Sequence, residues 1–209
     1  MRTTLLSVLA CARLWAALAL LCPGAVLALS HRYDAAGRLT WSVQTGGQAT
    51  HFSYDSAGNI TAIAVVTPAQ DSDGDGLPDT WEVRFSPSAV ARAAADDPDG
   101  DGVIDLQEFA FARLPDRPDG GGLTPLTLEP SAGGAHLTLR YRRPVQGTAT
   151  LGYIAEASSD MRTWSAAGDV VETLAPVAQG DGTELVTVRA LAPVGAAPRL
   201  FLRIRIVKR

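Results

Sequence analysis

Beyond residue 123 the chain runs through short alternating segments, LTLEP, AHLTLRYRR, ATLGYIAEASS, DVVETLAPV, TELVTVRAL and RLFLRIRIV. Arg140, Arg142, Arg203 and Arg205 each stand next to apolar neighbours there, the period of two expected of half-buried strands. Turns fall between the runs at Gly133-Gly134, Asp160, Gly168, Gly180-Asp181-Gly182 and Gly195. This spacing predicts six or seven strands and an antiparallel β-sandwich over 123–209. A second β pattern occupies about residues 30–67, where Tyr33-Asp34, Gly37 and Leu39 recur 21 residues later as Tyr54-Asp55, Gly58 and Ile60. The implied unit is strand, glycine turn, strand, with Trp41, Phe52 and Tyr54 packing one face. The expected fold class is therefore mainly β, with a short hairpin layer over 29–68 and the sandwich over 123–209.

Between them, residues 69–119 carry a different pattern. Two twelve-residue stretches, DSDGDGLPDTWE from Asp71 and DPDGDGVIDLQE from Asp97, each put carboxylates at positions 1, 3, 5, 9 and 12 and glycine at position 6. The first offers Asp71, Asp73 and Asp75, the Leu77 backbone carbonyl, Asp79 directly or through water, and Glu82 as a bidentate closing ligand. The second repeats this with Asp97, Asp99, Asp101, Val103, Asp105 and Glu108. A hard cation takes six to eight oxygens, and the glycines (Gly76, Gly102) permit the sharp turn that wraps the chain around it. Two calcium ions are the expected cofactors. Solvated acidic turns are the alternative, since Asp and Gly are common loop residues, but two copies that both end in Glu favour metal.

Helix-like stretches leave the loops at Asp79–Phe85 and Asp105–Arg113, and alanine-rich Ser88–Ala95 predicts a further helix between them. No helix is expected before the first loop, because Ile60 to Gln70 is β-branched and contains Pro68. Pro78 at position 8 lacks the N–H through which paired EF-hand loops bond each other. One methionine, Met161, remains after the N-terminal segment, so the methionine-rich groove of a calcium sensor is not expected.

Charge is concentrated in the same place. Residues 71–108 hold 11 of the 22 acidic residues against Arg84 and Arg92, whereas residues 124–209 hold 10 basic against 7 acidic. Carboxylates so crowded repel one another unless cations bind. The basic C-terminal residues alternate with strand positions, which argues for a solvated sheet face and against nucleic acid.

The N-terminus reads as a signal peptide over 1–28: Arg2 and Arg13, the apolar run Leu14 to Leu21, Pro23-Gly24, and the small-residue ending at Ala28. Arg13 and Pro23 leave too few apolar residues for a membrane anchor, so no span is expected after its removal. Cys11 and Cys22 would leave with it, and the remaining chain has no disulfide to stabilise it. The linker Pro115 to Pro125 is a boundary by its Pro, Gly and Asp content.

The signature Tyr-Asp-x-x-Gly-[Arg/Asn]-[Leu/Ile] resembles the YD repeat of RHS-type bacterial surface and toxin proteins, a family that builds long β-shells from many copies. Fewer than two copies enclose nothing, so a small layer is implied here, a remnant or a docking surface. The acidic loops resemble those of thrombospondin type 3 and dockerin-like modules. The run from Tyr153 to Trp164 and the ending Phe201-Leu202-Arg203-Ile204-Arg205 look like a C-terminal module of secreted bacterial proteins.

No Gly-x-Ser-x-Gly elbow, His-Glu-x-x-His, phosphate loop or dinucleotide-binding glycine fingerprint occurs, and His31, His51 and His136 are scattered. The sequence therefore reads as a secreted or cell-surface, non-catalytic modular protein in which calcium staples the β modules together, with cell-surface or extracellular-matrix partners. The alternatives are a dockerin-like adaptor docking a surface receptor, and a carbohydrate-binding or enzymatic β-sandwich. Trp41 and Trp164 are the candidate sugar-stacking residues for the latter, with core packing as their default role.

Overall fold

The computed structural model describes residues 30–44, 47–119, 125–131, 133–196 and 199–209. The expected signal segment and residues 120–124 of the linker lie outside the described residues. The chain is mainly β, as its patterning predicts, with antiparallel pairing throughout the sheets.

The N-terminal layer is a four-stranded meander of β1 (Ser30–Tyr33), β2 (Leu39–Val43), β3 (Ala49–Tyr54) and β4 (Ile60–Val66), hydrogen-bonded in that order. Its two Asp-containing turns are built alike. Asp34 Oδ1 accepts the backbone N–H groups of Ala36 and Arg38 at 2.9 Å, and Oδ2 accepts Arg38 Nε at 2.7 Å. Asp55 Oδ1 accepts Ala57 N at 3.0 Å and Asn59 N at 2.8 Å, with Asn59 Nδ2 on its other oxygen at 2.9 Å. Gly37 (φ 77°) and Gly58 (φ 91°) supply the left-handed conformation each turn needs. These bonds hold both carboxyls below their ordinary range, chiefly through the Arg38 backbone for Asp34 and the Asn59 side chain for Asp55. The recurring Tyr-Asp-x-x-Gly-[Arg/Asn] spacing is thus a self-capping turn.

Two short helices follow, α1 (Asp79–Phe85) and α2 (Asp105–Ala110). The helix expected over Ser88–Ala95 does not form; the segment is a series of bends and turns. Its backbone groups are used elsewhere: Ala94 N–H donates to Asp75 Oδ2 at 2.5 Å, Asp96 N–H closes a turn on Ala93 O, and the Ala94 carbonyl accepts from Leu106 N–H. Alanine's helical propensity is a weak bias beside such tertiary bonds.

The C-terminal region contains the seven strands β5 (Leu126–Ser131), β6 (Gly134–Pro144), β7 (Leu151–Ser158), β8 (Val171–Thr173), β9 (Val177–Ala178), β10 (Thr183–Pro193) and β11 (Phe201–Lys208). One sheet runs β5-β6-β10-β8, with β9 also on β10, and β7 pairs with β11 in a separate ribbon. Tyr141 of β6 stacks on Tyr153 of β7, with ring centroids 5.8 Å apart, where the two layers meet. The register opposes Leu139 to Val188 and Tyr141 to Val186, so these inward residues alternate with outward arginines. Those arginines are paired: Arg140 with Glu129, Arg142 with Asp181, Arg143 with Glu184, and Arg203 and Arg205 with buried Glu156.

The expected boundary between the acidic segment and the sandwich is not a boundary in the core. Leu77, Trp81, Phe109, Ala110 and Phe111 pack in one cluster with Leu139, Tyr141, Leu151, Val186 and Val188. Tyr153 Oη also donates to the Ala110 carbonyl at 2.9 Å. A second, smaller cluster joins Trp41, Val43, Ala49 and Val66 of the meander to Val83 of α1.

Candidate metal centre

The two acidic loops have the same internal bonding, 26 residues apart. Gly74 N–H and Gly76 N–H donate to the two oxygens of Asp71 at 2.8 and 2.9 Å; Gly100 and Gly102 do so to Asp97 at 2.9 and 3.0 Å. Asp73 Oδ1 accepts Asp75 N and Asp99 Oδ1 accepts Asp101 N, both at 3.1 Å. Gly76 (φ 101°) and Gly102 (φ 89°) turn the chain back at position 6, as the motif requires. The result gathers one oxygen each of Asp71, Asp73 and Asp75 within 4.8 Å of one another, and likewise of Asp97, Asp99 and Asp101.

Position 12 tests whether a cation fits. Glu82 and Glu108 are fully buried, and neither oxygen of either carboxylate has a hydrogen-bond partner among the described residues. Asp99 Oδ2 is likewise buried without one. Burial, followed by the negative charge of Asp73 and Asp75, pushes the Glu82 carboxyl up to about 8. Burial and the charge of Asp99 and Asp105 push Glu108 up to about 7. Buried carboxylates are ordinarily bonded or paired, and the chemistry of this donor set fits a hard divalent cation.

Position 9 is held by hydrogen bonds from within the chain, as Asp71 and Asp75 also are. Both oxygens of Asp79 are taken inside the first loop, Oδ1 by Ser72 N–H at 2.7 Å and Oδ2 by Ser72 Oγ at 2.7 Å and Gln70 Nε2 at 2.9 Å. Both oxygens of Asp105 are taken by the Arg92 guanidinium, at 2.6 and 2.8 Å. The difference follows from position 2, where Ser72 is replaced by Pro98, which has neither N–H nor hydroxyl to give. Arg92 supplies what proline cannot. Asp79 thus ties the first loop to its exit helix, and Asp105 ties the second exit helix to the segment between the loops. Leu77 is fully buried and Val103 half-buried, and their N–H groups donate to Asp75 and Asp101 at 2.8 and 2.9 Å.

Three contributors escaped the sequence reading. Arg92 was visible only as a basic residue in an acidic stretch. Ser72 gave no signal beyond a loop residue. Arg32 of β1 donates Nε to the Val83 carbonyl at 2.9 Å and a second N–H to the Arg84 carbonyl, holding the C-terminal end of α1 against the meander. None of the three histidines joins a metal-capable cluster among the described residues: His51 stacks on Trp41 at 4.3 Å and His136 bonds the Ala190 carbonyl. Trp41 is buried, and Trp164 is covered by the Arg203 guanidinium at 3.9 Å, so the two sugar-stacking candidates are both engaged within the chain.

Comparison with known proteins matches residues 31–70 to the RHS Repeat family model, a span that covers the meander and ends just before the first loop. No curated protein and no solved structure matches the chain. Among the described residues no helix is long and apolar enough to cross a membrane.

Proposed function

We propose that this chain is a secreted or cell-surface, non-catalytic modular protein that binds two calcium ions as structural staples between its β layers. The observation that carries the reading is the pair of buried, unpartnered carboxylates, Glu82 and Glu108, each closing a loop whose three leading aspartates already converge. Asp71, Asp73, Asp75 and Glu82 would hold one ion with the Leu77 carbonyl; Asp97, Asp99, Asp101 and Glu108 would hold the other with that of Val103. The bound cation supplies positive charge that offsets carboxylate repulsion and the cost of burying each glutamate. Asp79 and Asp105, at position 9, would complete each site directly or through water while their hydrogen bonds fix the exit helices.

A structural role follows from where the closing residues sit. Glu82 lies between Trp81, which packs in the C-terminal core, and Val83, which packs under the meander. Glu108 directly precedes Phe109 of the C-terminal core. Ordering the first loop therefore orders the packing on both sides, and ordering the second orders the C-terminal core. The dockerin-like alternative needs a helical face free for a receptor, whereas α1 and α2 spend their largest apolar side chains internally. Calcium outside the cell is at the concentration extracellular modules use, with dissociation constants of about 10⁻⁴ to 10⁻³ M.

Titration calorimetry of the full chain against calcium tests the reading. Two sites are expected, with one lost in Glu82→Gln and the other in Glu108→Gln. Absence of calcium binding, or a melting temperature that chelator leaves unchanged, would overturn it.

A further inference from the structure

On the side of α1 that faces β6 and β10, the structure encloses a cavity of ≈ 210 Å³ whose walls include Trp81, Phe85 and Phe109. No loop carboxylate lines it. Its one unusual member is Arg84: the Nε atom is buried without a hydrogen-bond partner, and its guanidinium makes no hydrogen bond or ion pair with any described residue. The other arginines facing carboxylates in this region are all committed, including Arg142, which takes Asp181 at the cavity rim. Gln146, on the opposite wall, also has a buried side-chain oxygen without a partner.

Arg84 is half-buried, with only Nε cut off from solvent, and a guanidinium presents a planar fork of donors that matches a carboxylate in two parallel bonds. Aromatic walls around one such fork form the mould for an apolar, planar body bearing a single anionic group. The cavity is smaller than the roughly 300 Å³ at which pockets for drug-sized ligands begin.

We propose that this cavity is a binding site for a small organic carboxylate with a planar or aromatic body, held by Arg84 as its charge partner. The proposal stands apart from the cation sites, since it rests on none of their ligands. A peptide C-terminus and an acidic sugar both present this carboxylate, and separate probes distinguish them.

The test is calorimetry of the full chain in saturating calcium with benzoate, its neutral isostere benzamide, N-acetylphenylalanine and glucuronate. Benzoate is expected to bind saturably and benzamide at least tenfold more weakly. Arg84→Gln is expected to weaken benzoate at least tenfold without lowering the melting temperature, because the Arg84 side chain makes no hydrogen bond or ion pair with a described residue. Arg84→Lys, which keeps the charge and loses the fork, is expected to fall between the two. Binding of N-acetylphenylalanine alone among the two larger probes assigns a peptide terminus, and of glucuronate alone a sugar acid; either sustains the site. Equal binding of benzoate and benzamide, benzoate binding unchanged in Arg84→Gln, or no saturable binding of any carboxylate overturns it.

Discussion

Trp81 and Val83 point to opposite faces of α1 and belong to different cores, Trp81 to the one under β6, β7 and β10, Val83 to the one under the meander. Two residues along a helix turn the side chain by about 200°, so a helix of seven residues suffices to join two layers. The residue between them is Glu82, the closing carboxylate of the first loop. The proposed metal site, meander docking and sandwich packing thereby converge on three consecutive residues.

Calcium should raise stability through that point. Binding adds RT ln(1 + [L]/Kd), about 2.7 kcal/mol at a hundredfold excess over Kd. Glu82→Gln and Glu108→Gln should each lower the melting temperature in millimolar calcium. In chelator neither should, because the amide removes a buried negative charge. Thermal unfolding with and without chelator measures both arms, and a loss of equal size in chelator would show packing damage instead.

The pH dependence of the calcium-free protein follows from the same carboxyls. Glu82 at about 8 and Glu108 at about 7 both lie above the ordinary 4.5. Between 4.5 and these values the folded chain holds protons that the unfolded chain has released, so stability in chelator should be highest near the lower limit and fall as pH rises to about 8. Calcium binding must expel those protons, and apparent affinity should rise over the same window. Asp160 and Asp181, both lowered to about 2, act only below it. Melting in chelator at pH 5 and pH 8 decides the sign.

Arg92 and Asp105 form a buried pair, with side chains 10% and 0% exposed. Removing one partner of such a pair costs about 3–5 kcal/mol, because the other charge stays buried and unpaired. Arg92→Ala should therefore destabilise by that order and weaken the second calcium site more than the first. Site-resolved titration in the Glu82→Gln and Glu108→Gln backgrounds separates the two.

The C-terminal strands should not form a native core without the helices. Truncating Phe109 or Trp81 to Ala should cost about 3–5 kcal/mol, the usual range for buried aromatics. An isolated 123–209 fragment should bind hydrophobic dye and unfold without a sharp transition; a cooperative, dye-silent fragment would show that the strands close over their own core.

Arg32→Ala should loosen the meander alone. It removes two hydrogen bonds to the end of α1, each with a net worth of about 1 kcal/mol. Faster amide exchange confined to β1–β4 is the expected reading.

The sequence by itself determined whatever depends on neighbours along the chain. The period of two marked the seven C-terminal strands, the Tyr-Asp-x-x-Gly spacing marked turns closed by Asp34 and Asp55 on their own following residues, and the acidic repeat marked both loops and the helices leaving them. The turns and the acidic loops are local devices whose hydrogen bonds stay within a few residues, and the strands show as a local alternation of side chains. Only the tertiary structure decided what joins distant segments: that Ser88–Ala95 gives up a helix to bond the first loop, that Asp105 faces Arg92, and that Phe109 and Val186 share one core. Propensity and loop spacing carry no information on which apolar face meets which. The lowest-energy arrangement buries the helices between layers because the cost of exposing Trp81, Phe109 and Tyr141 outweighs the boundary that the Pro and Gly residues of the linker suggest.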